Sequence, residues 1–161
     1  MTATGDYANQ VHLSASPERV FGILTTVPEF AAWWAPATGS AAERGELRIT
    51  FDGLDDPLVL RVKATRPSAV IWEVEECAFL PDWVGTRPVF TLSEAPDGGC
   101  DVRFLHEGLS PRLECYEACR TGWDQYLPSL RDYIETELAY VRRHPELLAS
   151  FIEKTELPLS L

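Results

Sequence analysis

One amphipathic run constrains this chain more than any other feature. Between residues 113 and 138, a helical period of about 100° per residue places Tyr116, Cys119, Trp123, Leu127, Leu130 and Ile134 on a single stripe, with Gly122 beside Trp123. A helix of that length draws most of its stability from burying such a stripe against a broad apolar partner. Nearly everything from Glu43 to Gly108 reads as short alternating strands, so the partner is a sheet. A sheet curved about one long helix leaves an enclosed space, and function is expected there.

The remaining punctuation fixes the order of elements. Residues 7–14 read as a first strand. Ser14 or Ser16 then supplies a helix cap, with Pro17 at the first helical position. Val20, Phe21, Ile23, Leu24 and Val27 form a short amphipathic helix that Pro28 stops. A second short helix spans 29–34, and Pro36 and Gly39 lead into a loop. Strands follow at 46–52, 58–65, 69–76, 87–93 and 100–107, with turn signals at Asp55-Asp56-Pro57 and Asp97-Gly98-Gly99. Residues 79–85 read as loop. Pro128 removes a backbone donor inside the long helix and predicts a kink. From Arg142 a further helix is expected, with Pro145 near its start and Leu147, Leu148, Phe151 and Ile152 on its apolar face.

Composition narrows the function classes. A chain of 161 residues is expected to form one domain, with its core at 7–138 and a helical extension at 142–161. With 14 basic and 25 acidic residues its formal charge is −11, which argues against nucleic acid and anionic membranes as partners. The N-terminus lacks the basic and apolar regions of a secretory signal, and no run approaches the roughly 20 apolar residues of a membrane span. Cys77, Cys100, Cys115 and Cys119 are too scattered for a disulfide or zinc framework and read as reduced thiols in the cytoplasm. His12, His106 and His144 show no metal-ligand spacing. There is no phosphate-cradling loop and no nucleophile elbow. No cofactor, metal or catalytic set is therefore expected, and the reading leans away from an enzyme.

Two sets of segments carry a family resemblance. The first is Ser16-Pro17-Glu18-Arg19-Val20-Phe21, followed by Pro28-Glu29-Phe30 and Trp33-Trp34. The second is Phe104-Leu105-His106-Glu107-Gly108-Leu109, then Gly122-Trp123 with Leu127, Leu130 and Tyr133. Over residues 7–137 the chain resembles the START-like (SRPBCC, helix-grip) superfamily. Within it, the chain is similar to the bacterial branch related to the C-terminal domain of the activator of the heat-shock protein 90 ATPase. The resemblance implies an α+β fold in which a curved antiparallel sheet wraps a long C-terminal helix, with two short helices after the first strand. It also implies a hydrophobic cavity between sheet and helix. The segment after Tyr140 departs from the family pattern.

Strand alternation names the inward residues. Val102, Phe104 and His106 share one face, as do Phe90 with Leu92, Val70 with Trp72 and Val74, and Leu58 with Leu60, Val62 and Ala64. The expected ligand-binding set is Trp33, Trp72, Phe90, Phe104, His106, Tyr116, Arg120, Trp123 and Leu127. His106 reads either as a satisfied interior histidine or as a ligand contact, and Arg120 as a ligand contact or the partner of a nearby acid. Trp83, beside Pro81, is a lid residue or a surface clamp. Three functions are compatible. The first is binding of a small hydrophobic, lipid- or polyketide-like molecule. The second is a cyclase/aromatase-type enzyme using His106 or Arg120. The third is a co-chaperone-like interaction module. A homodimer through the extension is a further expectation.

Overall fold

The computed structural model describes residues 5–143. Strand β1 (Tyr7–Leu13) leads into helix α1 (Pro17–Leu24). Ser16 caps this helix by accepting the Arg19 backbone N–H at 3.2 Å, and Pro17 opens its first turn. A 3-10 turn (Val27–Glu29) and helix α2 (Phe30–Trp33) follow. The chain then meanders through β2 (Ala37–Gly39), β3 (Glu46–Ile49), β4 (Leu58–Thr65), β5 (Ala69–Cys77), β6 (Arg87–Glu94) and β7 (Cys100–Glu107), and ends in helix α3 (Tyr116–Arg143). The seven strands form one antiparallel sheet in the order β1-β7-β6-β5-β4-β3-β2. This is the helix-grip fold the resemblance implied. No helix of the described residues is long and apolar enough to cross a membrane.

The helix stripe and the strand faces meet as alternation predicts. Val70, Trp72, Val74, Phe90, Leu92, Val102, Phe104 and His106 are all buried beneath Trp123, Leu127, Leu130 and Ile134. Phe90 pairs with Val70 on one side and Phe104 on the other, so the apolar rows run straight across the ladder. The β5–β6 pairing stops after Ile71 and Val89. The next residue on β6 is Pro88, which has no N–H to offer the ladder. Past it, the Val74 N–H donates to the Thr86 carbonyl at 3.0 Å. The Gly85 N–H returns to the Val74 carbonyl at 3.0 Å, so the strands rejoin here and close the loop that carries Trp83.

Several elements differ from expectation. A short strand, β2, stands where the Pro36–Gly39 signals read as loop. It needs Gly39, whose φ is +90° and where a Cβ would lie 2.2 Å from the Glu46 carbonyl oxygen. Strand β3 ends at Ile49, and Phe51 leaves the ladder. The expected loop at 79–85 contains a 3-10 turn (Pro81–Trp83). Helix α3 begins at Tyr116, after two turn bonds close on Ser110 and Leu113. It runs through Pro128 without a break, with Leu127 and Leu130 buried on either side. It also continues through Arg142 and Arg143; the rest of the expected extension, residues 144–161, lies outside the described residues.

One buried charge was not anticipated. Arg19 on α1 is 1% exposed. Its guanidinium donates to both Glu29 oxygens at 2.7 and 2.9 Å and to Glu137 on α3 at 2.7–3.0 Å. The Tyr133 hydroxyl donates to the same Glu29 at 2.7 Å. Burial alone would lower the Arg19 pKa, but the bonds and charges of Glu29 and Glu137 outweigh it and hold the cation firmly protonated. This cluster fastens the short helices to the second half of α3.

Candidate ligand-binding site

The space left by the grip lies at one end, between the first turns of α3 and two loops. The β3–β4 loop supplies Phe51 and Leu54, and β4 itself supplies Leu58. The β5–β6 loop supplies Phe79, Leu80 and Trp83. Trp34 closes the wall behind α2, and α3 contributes Ala118, Cys119, Gly122, Trp123 and Tyr126. The pocket volume is about 280 Å³ and no lining residue is charged. Its aromatic rings touch in a continuous arc. Phe79 meets Phe51 at 5.7 Å between centroids, Phe51 meets Trp34 at 6.2 Å, Trp34 meets Trp123 at 5.4 Å, and Trp123 stacks on Trp83 at 6.3 Å.

Gly122 matters to this space. Its backbone is ordinary helix, and a Cβ there would meet only the Tyr126 ring, at 3.9 Å. Nothing in the backbone demands glycine. A glycine inside a helix costs about 1 kcal/mol relative to alanine. What the missing side chain gives in return is room in the pocket.

Behind the rings sits a fully satisfied polar relay. The Trp123 indole N–H can only donate, and it lies 3.0 Å from His106 Nδ1, so Nδ1 is the acceptor. In the neutral imidazole the proton is then on Nε2, which donates to Thr86 Oγ1 at 2.8 Å. The Thr86 hydroxyl in turn donates to the Trp83 carbonyl at 2.6 Å. The Trp83 indole N–H reaches Cys119 Sγ at 3.1 Å. Burial drives the His106 pKa down to about 3. A proton on Nδ1 would also face the indole N–H, so the ring stays neutral at physiological pH. The relay fixes Trp83 and Trp123 as opposite walls. Burial also pushes the Cys119 thiol up to about 12 and raises Cys77, so neither is an activated nucleophile.

Of the nine residues expected to bind ligand, only Trp123 lines this pocket. Trp33, Trp72, Phe90, Phe104 and Leu127 are buried in the packed core behind it. Trp72 stacks on Trp34 at 5.4 Å and so backs the wall. His106 is buried with both nitrogens engaged. Tyr116 is half-buried against the core. Arg120 turns away: it bonds Glu117 and Asp124 at 2.8 and 3.2 Å, and Asp124 also accepts from Tyr7 of β1. These residues stand outside this pocket because strand alternation separates inside from outside but does not say where packed core ends and open space begins. Trp83, expected as lid or clamp, is a buried wall. The missed signal was the density of apolar residues in loops: Phe51 and Leu54 in an acidic turn, and Phe79-Leu80 before Pro81.

Comparison with known proteins agrees with the fold. The solution structure of the Aha1 dimer from Colwellia psychrerythraea is 26% identical, with a TM-score of 0.69 over 81% of this chain and 96% of that one. The crystal structure of MLL2253 from Mesorhizobium loti is 20% identical, with a TM-score of 0.70 over 81% of this chain and 96% of that one. CalU16 from Micromonospora echinospora is 17% identical, with a TM-score of 0.59 over 92% and 82% of the two chains. No curated protein matches in sequence. The family described as activator of Hsp90 ATPase homolog 1-like protein matches residues 14–135. The chain belongs to that family.

Proposed function

We propose that the protein binds a small, mainly apolar molecule in the pocket between α3 and the two aromatic loops. One observation carries this reading: an uncharged, ring-lined space of about 280 Å³ that Gly122 keeps open at a cost to its own helix. That volume lies just below the usual range of ligand pockets, roughly 300 to 1,000 Å³, and suits a small guest. The four thiols are free, which fits the cytoplasmic location proposed with it. His106 gives no support to a cyclase-type reaction, because neither nitrogen is available to a guest. Support for a co-chaperone-like role is limited to the family.

The test is thermal shift with a panel of lipids and small aromatic compounds, run on the wild type and on Gly122→Leu, whose side chain would fill the pocket. Stabilisation of the wild type alone supports the site. Equal stabilisation of both proteins places binding elsewhere and ends this reading. We further propose self-association, since the Colwellia relative is described as a dimer. Light scattering giving twice the 18.0 kDa chain mass supports it, and a monomer at high micromolar concentration refutes it.

A further inference from the structure

The pocket's surroundings select the charge of its guest. The mouth is built by two loops, and each carries carboxylates beside lining residues. Asp52 follows Phe51, Asp55 follows Leu54, and Asp82 precedes Trp83; Asp56 stands two residues before Leu58. All four aspartates are exposed. No Lys or Arg occurs between Arg48 and Arg61, or between Arg66 and Arg87, so neither loop holds a compensating cation. The lining stretch of α3 has Arg120, but its guanidinium is engaged by Glu117 and Asp124 on the β1 side of the helix. A low-dielectric cleft rimmed by one sign of charge focuses the field into its opening.

The interior favours the same sign. Neighbouring rings meet steeply: Phe51 with Phe79 at 74°, Trp34 with Phe51 at 64°, Trp34 with Tyr126 at 62°, and Trp123 with Tyr126 at 77°. Six of the twelve lining residues are aromatic, so a guest is enclosed largely by π-systems. Aromatic faces carry the negative side of the ring quadrupole and attract cations. Leu54 and Val84, 42% and 51% exposed, are the large apolar side chains left in solvent among the described residues, and both stand on these same loops. The mouth thus offers apolar contact next to negative charge.

We propose that this site, given the binding reading above, takes an organic cation: an apolar or aromatic body seated among the rings, with an alkylammonium group held between ring faces and the aspartate rim. Fatty acids and other anionic amphiphiles are rejected by the same field.

Three matched probes test this by calorimetric titration of the full chain: (2-naphthylmethyl)trimethylammonium, 2-(methoxymethyl)naphthalene and 2-naphthylacetate. The ammonium is expected to bind about threefold to tenfold more tightly than the ether, and the carboxylate more weakly than the ether. The advantage shrinks in about 1 M salt, where the screening length falls to about 3 Å. The triple substitution Asp52→Asn, Asp55→Asn, Asp56→Asn lies in an exposed turn and is expected to bring the ammonium and ether affinities together. Equal affinity for ammonium and ether, or a tighter carboxylate, overturns the charge selection and leaves the pocket reading standing. Binding of no probe, or equal binding by Gly122→Leu, overturns both.

Discussion

At the scale of single residues, His106 organises the pocket without touching its guest. It joins Trp123 on the helix to Thr86 and Trp83 on the loop, and every donor in that chain has an acceptor. Thr86→Val keeps the shape but leaves His106 Nε2–H unpartnered, while the Trp83 carbonyl still accepts from the backbone N–H of residue 86 at 2.9 Å; it is expected to cost about 1–3 kcal/mol in urea denaturation. The titration of His106 has a definite sign. Unfolded, the imidazole takes a proton near its ordinary 6.5; folded, burial holds it neutral down to about 3. The unfolded state therefore binds the extra proton between those values, and stability falls as pH drops through that window, by at most about 1.4 kcal/mol per pH unit. Denaturation of wild type and His106→Gln between pH 7 and about pH 4 checks this: the wild type should show the steeper loss.

At the scale of elements, α3 carries two demands that pull against each other. Its stripe must pack tightly against the sheet, yet at Ala118 and Gly122 it must leave space. Gly122→Ala is expected to raise stability by about 0.5–1 kcal/mol and to weaken ligand binding, measured by denaturation and titration of the same preparation. A parallel gain in both would mean the glycine serves no guest. The attachment of the short helices depends on Arg19. Arg19→Ala removes the guanidinium that bridges Glu29 and Glu137 and is expected to cost about 3 kcal/mol or more. Arg19→Lys is expected to recover only part of it, since an ammonium has three donors on one nitrogen and cannot reproduce the planar fork that bonds Glu29 and Glu137 five times. The spacing of the sequence made α1, α3 and the five long strands legible, because each repeats its period over seven residues or more. β2 was not legible: three residues between proline and glycine punctuation carry no period, and the strand exists through its pairing with β3.

At the scale of the whole molecule, a second histidine works in the opposite direction to His106. His12 on β1 lies between Asp97 and Asp101 of the β6–β7 hairpin, 2.9 Å from each. The Asp101 hydrogen bond raises its pKa above 6.5 against desolvation, and the charge of Asp97 adds to the rise. Its contribution is fully present below the unfolded value and is lost as pH rises through the raised folded value. His12→Gln should therefore flatten the fall in stability as pH rises above 6.5, and added salt should do the same to the wild type, since the pair is exposed. Together the two histidines predict a maximum in stability near neutral pH.

The sequence alone determined which faces are apolar, because a period of 2 or 3.6 fixes side-chain direction wherever an element is long enough to repeat. It thereby named the core, the helix that is gripped and the sheet that grips it. Only the tertiary structure decided where the packing stops. Phe51, Leu54, Phe79, Leu80 and Trp83 sit in loops with no period, and they became one wall because Val74 closes the β5–β6 loop on Gly85 and Thr86, Trp83 is latched to His106 through Thr86, and α3 has no side chain at Gly122. A cavity is a property of surfaces that fail to meet, and local patterning records only the surfaces.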